Sequence, residues 1–142
     1  MKLLNNLYTI TGSNAGGTGV SGYSGVSGDS GVSGSAVSYT IRLNADSVIY
    51  KAHFPEQPIT PGVCIIEIAH ELLEHHLQQP LALQTVKNVK YLAVISPLDV
   101  QQLDYNFKLT ASDDGTLKVQ GTVTSADVTF TKLSLLFTVG SK

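Results

Sequence analysis

The stretch Ala52-His53-Phe54-Pro55-Glu56-Gln57-Pro58-Ile59-Thr60-Pro61-Gly62-Val63-Cys64-Ile65-Ile66-Glu67 decides how this chain is read. Pro55, Pro58 and Pro61 lock φ at every third position, so the loop carrying His53 is stiff and extended. Thr60 is a favourable N-cap and Pro61 a favourable first helical residue, so a helix is expected to begin at Thr60 or Pro61. Gly62 lets another group approach the backbone closely. The free amides of the opening turn, around Gly62 and Val63, point outward and favour negative charge. Val63, Cys64, Ile65, Ile66, Ile68, Ala69, Leu72 and Leu73 follow, with Glu67 the one charge among the first of them. A helix apolar nearly all round is a buried helix, so Glu67 reads as a buried carboxylate. Such a group needs a partner or must stay protonated, and both outcomes are common at functional sites.

Outward from this stretch the pattern is that of strands. Val37, Tyr39, Ile41 and Leu43 alternate with Ser38, Thr40 and Arg42, which predicts a half-buried strand over 37–43. Leu7 to Thr11 reads as a short strand before it. Val48 to Tyr50 leads into the histidine loop, and the helix runs from about Thr60 to Leu77, stopping before Pro80. Four strand signals follow: Thr85 to Ile95, Val100 to Leu109, Thr116 to Ser125 and Val128 to Val139. Asp113-Asp114-Gly115 is a hairpin-turn signal between the second and third. One buried helix amid strands joined by short turns predicts an α+β domain with an antiparallel sheet around that helix.

The run His-Phe-Pro-x-x-Pro-x-x-Pro-Gly-Val, with an acid fourteen positions after the histidine, resembles the 3-hydroxyacyl-[acyl-carrier-protein] dehydratases of the hotdog superfamily. The resemblance extends over Asn44 to Asp99. Val89-Lys90-Tyr91-Leu92 and Ser96-Pro97-Leu98-Asp99 look like the family's next strand and its following turn. The chain departs from the pattern at Ala52 and Leu98, where the family usually has glycine, and at Glu71, where it usually has glutamine. The resemblance implies a hotdog fold, an antiparallel sheet wrapped around one long central helix, and a hydro-lyase without metal or redox cofactor.

Dehydration of a (3R)-3-hydroxyacyl thioester to a trans-2-enoyl thioester needs a base for the C2 proton and an acid for the departing hydroxyl. It also needs donors for the thioester oxygen. His53 suits the base, since imidazole titrates near neutrality. Glu67 suits the acid, as a carboxyl group kept protonated by burial. The amides of Gly62 and Val63 suit the oxygen. The resemblance assigns the same roles, with the histidine from one subunit and the acid from its partner. It therefore implies a homo-oligomer, at least a dimer, that acts on an acyl carrier protein bearing the acyl chain. A hotdog thioesterase, using the helix carboxylate to activate water, and a non-catalytic acyl-binding hotdog subunit are the rival readings.

Composition bounds the rest. The 142 residues suit one domain, 1–142, with a core. Nine of the 13 glycines fall between Gly12 and Gly34, and residues 16–35 form a Ser-Gly-rich low-complexity insert that reads as a flexible loop. A net charge of −2 with no basic run argues against nucleic acid. No apolar run is long enough to span a membrane, and no signal peptide is evident, so a cytoplasmic protein is expected. Cys64 is the single cysteine, which excludes an intrachain disulfide and a zinc knuckle. His70, His75 and His76 lack the spacing of a zinc-protease helix, because Glu74 stands where the second histidine would. Lys51, Lys87 and Lys90 are weak candidates for docking an acidic carrier.

Overall fold

The computed structural model describes residues 3–15, 33–52, 59–112 and 114–139. Residues 16–32, most of the Ser-Gly tract, and 53–58, which include His53, lie outside the described residues. The elements are β1 (Tyr8–Ala15), β2 (Ser33–Leu43), α1 (Val48–Ala52), α2 (Gly62–Leu77), β3 (Leu81–Tyr91), β4 (Gln102–Ala111), β5 (Thr116–Ser125) and β6 (Val128–Val139). The six strands form one sheet in the order β1-β2-β4-β5-β6-β3, and every neighbouring pair is antiparallel.

The sheet is the antiparallel one expected, and β5 and β6 have the expected limits. β2 begins earlier than the alternation indicates, at Ser33. Its first residues pair with the end of β4, from Ser33 against Ala111 to Ala36 against Lys108. Ladder hydrogen bonds come from the backbone, so a Ser-Gly segment can extend a strand without the apolar alternation that marks burial. β4 is displaced by two residues, to Gln102–Ala111. β3 starts at Leu81 rather than Thr85 and ends at Tyr91 rather than Ile95. Register shifts at Leu83/Thr85 and Val86/Asn88 interrupt its period of two, which hides its true limits from a pattern reading.

Alternate residues of the strands make the core. Tyr39, Ile41 and Leu43 of β2 are buried, as are Leu103, Tyr105, Phe107 and Leu109 of β4, Val119 and Val123 of β5, and Leu133, Leu135 and Phe137 of β6. Ile65, Ile68, Ala69, Leu72 and Leu73 of α2 join the same cluster. The helix is 16 residues long and begins at Gly62. Thr60 does not cap it. Its hydroxyl lies 2.7 Å from the buried Tyr50 phenol, and its N–H donates to the Ile95 carbonyl at 2.8 Å. Pro61 occupies the cap position instead, in extended conformation. At the other end Gln78 adopts a left-handed conformation, φ 56°, and its N–H donates to the Glu74 carbonyl at 2.8 Å. That turn carries the chain directly into β3.

The expected burial of Glu67 does not hold for the chain by itself. Val63 is 72% exposed and the Glu67 side chain 43%. At about 100° per residue, a buried stripe through Ile65, Ile68, Ala69 and Leu72 turns Glu67 away from the core. The buried carboxylate is Glu71, which is 6% exposed. It accepts the amides of Leu3 (2.8 Å) and Leu4 (2.9 Å) and the phenol of Tyr8 (3.0 Å). Burial, and then the Glu71 carboxylate, push the Tyr8 hydroxyl well above the ordinary phenol range, so it remains a donor.

Replacing Glu71 therefore strands three donors. Glu71→Ala should destabilise the fold by about 2–3 kcal/mol, since the unpaired groups carry their full desolvation cost. Glu71→Gln should lie between it and the parent, because the amide retains one acceptor oxygen. Urea unfolding measures both. A loss below about 0.5 kcal/mol for the alanine variant, the usual range for a surface change, would show that Glu71 does not hold the amino-terminal turn.

Candidate active site

The opening turn of α2 is held from two sides. Intrahelical bonding begins with the amides of Cys64 and Ile65, which both donate to the Pro61 carbonyl at 2.9 and 3.1 Å. The amides of Gly62 and Val63 come before them and have no intrahelical acceptor. From β4, the Tyr105 phenol donates to the Ile65 carbonyl at 3.1 Å within the core. Burial keeps that phenol protonated far above its usual range. From the end of β3, Tyr91 lies over the helix start. A methyl group at Gly62 would fall 2.6 Å from its Oη and 2.8 Å from its Cζ. Only glycine leaves room for that approach.

His53 lies outside the described residues, but what flanks its segment is well defined. α1 ends at Ala52, immediately before it. Ser47 accepts the Ile49 amide at 3.2 Å and so caps α1. Tyr50 of α1 then reaches Thr60, on the far side of the segment. Burial pushes the Tyr50 phenol up to about 12. The Tyr50–Thr60 bond thus brings the two described ends of the segment together beside the start of α2.

The structure places Gly62, Val63 and Glu67 along the first two turns of one helix. Glu67 Oε1 lies 3.4 Å from Nδ1 of His70, one turn further on. The Cys64 thiol is pushed up by burial first and by the charge of Glu67 second, so it behaves as a small protonated core group. His75 and His76 face the Tyr39 ring edge-on, at centroid distances of 5.9 and 6.1 Å. Among the described residues, no group of three or more His, Cys, Asp or Glu side chains is arranged to hold a metal ion. No helix among them is long and apolar enough to cross a membrane. A groove of about 500 Å³ lies on the strands, lined by Lys90, Lys108 and Lys132 among others, and it shares no lining residue with the α2 start.

Sequence reasoning missed three residues here. Tyr91 and Tyr105 stand at strand positions whose apolar character is visible, but what their hydroxyls reach depends on strand order. His70 was read only as part of a failed metal pattern. Its spacing from Glu67, one helical turn, was the signal for contact.

Comparison with known proteins places the fold. A family model described as ApeI-like, ApeI dehydratase, matches residues 29–129, well over half of the chain. Among solved structures, the dehydratase heterocomplex ApeI:P from Xenorhabdus doucetiae is similar, with 17% identity, a TM-score of 0.54 and coverage of 72% of this chain and 87% of that one. The putative thioesterase yhdA from Lactococcus lactis has 9% identity, a TM-score of 0.54 and coverage of 73% and 79%. A mutant thioesterase PA1618 from Pseudomonas aeruginosa has 11% identity, a TM-score of 0.54 and coverage of 89% and 93%. Likeness at these identities shows the fold alone, and it is the hotdog-like fold shared by dehydratases and thioesterases. Among curated proteins none matches the chain. The matched span includes the histidine segment, the whole of α2 and four of the six strands in full, and the chain belongs to the ApeI-like dehydratase family.

Proposed function

We propose that this chain is a hydro-lyase that converts (3R)-3-hydroxyacyl-[acyl-carrier-protein] thioesters to trans-2-enoyl thioesters and water, in fatty-acid or related lipid or polyene biosynthesis. The observation that carries this reading is the family match across both His53 and Glu67. Glu67 also presents its carboxyl group from α2 one turn beyond the unpaired amides of Gly62 and Val63. In the reaction His53 takes the C2 proton, and negative charge moves onto the thioester oxygen, where those amides receive it. The C3–O bond then breaks, the C2–C3 double bond forms, and Glu67 supplies the proton with which the hydroxyl leaves as water.

The site is proposed to be shared between two copies. β3 forms one edge of the sheet, and nearly all its residues are exposed. Leu83 and Val86 on it, and Leu92 and Val94 just after it, are exposed apolar residues. A long apolar edge strand invites pairing with another chain, and pairing there would cover the open flank of α2 that includes Glu67. The Xenorhabdus structure is itself a heterocomplex, so a second, different hotdog chain is the alternative occupant of that edge. The partial exposure of Glu67 also suits activation of water, as in a thioesterase. Measuring free thiol and enoyl product from one 3-hydroxyacyl carrier-protein substrate separates the two chemistries, and enoyl product without thiol release is expected.

His53→Ala should lower turnover by about 100- to 10,000-fold, the usual cost of a general base, with an unchanged melting temperature. Near-normal turnover would remove His53 from the mechanism. Glu67→Gln should be similarly inactive. Unfolded and refolded together in equal amounts, the two variants should recover about a quarter of the parent activity. Half of randomly paired dimers are hybrids, each with one intact site, by symmetry alone. No recovery, with subunit exchange confirmed by mass spectrometry, would rule out a site built from two copies.

Gly62→Ala tests the helix start. The added methyl displaces the half-exposed Tyr91 ring, so the stability cost should stay near 1 kcal/mol, the low end for overpacking. Turnover should fall on the order of tenfold or more as the groups around the amides shift. In a Tyr91→Ala background the same substitution should cost no further stability, which a double-mutant cycle measures. An equal cost in both backgrounds would show that Tyr91 is not what the methyl meets.

A further inference from the structure

We infer that His70 is a positioning residue for Glu67, fixing the orientation of its carboxyl group. The inference rests on the reading of Glu67 as the acid of the proposed dehydration. The His70 ring is largely buried, with a side-chain exposure of 19%, and lies tilted against Phe137 of β6 with centroids 5.3 Å apart. Its two nitrogens face different groups. Nε2 lies 2.7 Å from the carbonyl of Leu81, the first residue of β3. A carbonyl only accepts, so Nε2 carries a hydrogen. Nδ1 lies 3.4 Å from Oε1 of Glu67. With Nε2–H engaged by Leu81, the neutral ring turns a lone pair toward that carboxyl group. On closer approach either the carboxyl O–H would donate to Nδ1 or a protonated ring would donate N–H to the carboxylate, and one proton would be shared in both cases.

A purely structural role explains only half of this. Glu74 Oε2 accepts the Leu81 amide at 2.8 Å and lies 3.3 Å from His70 Nε2. Together Glu74 and His70 bind both backbone groups of Leu81 and pin the start of β3 to α2. That pin uses Nε2 alone. It leaves Nδ1 free to act on Glu67, whose side chain is otherwise partly open to water and in need of something to set its rotamer. The groups that face His70 are Glu67 and Glu74 from its own helix, the Leu81 carbonyl from β3 and the Phe137 ring from β6. Glu71, one residue on, is occupied by Leu3, Leu4 and Tyr8. A 3.4 Å separation is long for a hydrogen bond, and such bonds at reactive sites commonly tighten when substrate is bound.

The test separates the two nitrogens. In His70→Gln the side-chain amide can still donate to the Leu81 carbonyl, but nothing stands at the Nδ1 position. The melting temperature should remain within a few degrees of the parent, while kcat falls on the order of 10- to 100-fold at unchanged KM and the pH–kcat profile changes shape. Ring ¹⁵N spectra of histidine-labelled parent protein should show His70 with a hydrogen on Nε2. Its Nδ1 resonance should move on Glu67→Gln substitution, a readout independent of turnover and of whether His70→Gln folds. An inactive Glu67→Gln beside a His70→Gln with parental kcat and pH profile would overturn the role of His70 alone, as would an Nδ1 resonance indifferent to Glu67. A fully active Glu67→Gln would overturn the dehydratase assignment of Glu67, and this inference with it.

Discussion

A carboxylate cannot remain in an apolar interior without donors, and the burial of Glu71 organises the molecule around that requirement. Its three partners come from the amino-terminal turn and from the first residue of β1. The acid therefore ties the third turn of α2 to the sheet's β1 edge. On the opposite side, Glu74 and His70 tie the same helix to Leu81 at the sheet's other edge. The stretch from His70 to Glu74 is thus anchored to both edge strands, while Tyr105 holds the first turn from the middle of the sheet.

This anchoring has a consequence for chemistry. A helix start can offer its amides to a ligand only if its position is fixed and nothing fills the space before it. Tyr105 and the Tyr50–Thr60 bond supply the first condition, and at Gly62 the missing side chain leaves room for the Tyr91 ring. The opening turn is held by buried tyrosines whose hydroxyls burial keeps protonated at neutral pH. By contrast Glu67 is partly open to water, with His70 one turn further on as its nearest side-chain partner. The two glutamates one turn apart on α2 therefore differ in burial, with Glu71 inside and Glu67 partly open.

The unpaired β3 edge is the counterpart of this arrangement. A single chain leaves Leu83, Val86, Leu92 and Val94 in water, and on α2 it leaves Val63 exposed and Glu67 partly so. Exposed apolar residues beside a partly exposed acid mark a surface that association would complete. Under the proposed function, the same covering would exclude water from the site.

The sequence by itself determined the strand-rich architecture, the position of the one substantial helix and the end strands β5 and β6, because apolar alternation and turn residues are local properties of the chain. It also marked Gly62, Val63 and Glu67 as neighbours, since helical periodicity follows from spacing alone. Tertiary structure decided which glutamate is buried. Glu67 and Glu71 lie one turn apart in equally apolar company, and only the arrival of Leu3, Leu4 and Tyr8, more than 60 residues away in the chain, distinguishes them. Tertiary structure likewise moved the helix start from Thr60 to Gly62, because the Tyr50 phenol claims the hydroxyl that would otherwise cap the helix. It hid the limits of β3 behind two register shifts, and it gave the two His70 nitrogens different neighbours, Glu67 for Nδ1 and, for Nε2, Glu74 and the Leu81 carbonyl of the strand that follows. Local pattern follows from covalent spacing, whereas a polar group's partner depends on which distant segment the packed core brings within hydrogen-bonding distance.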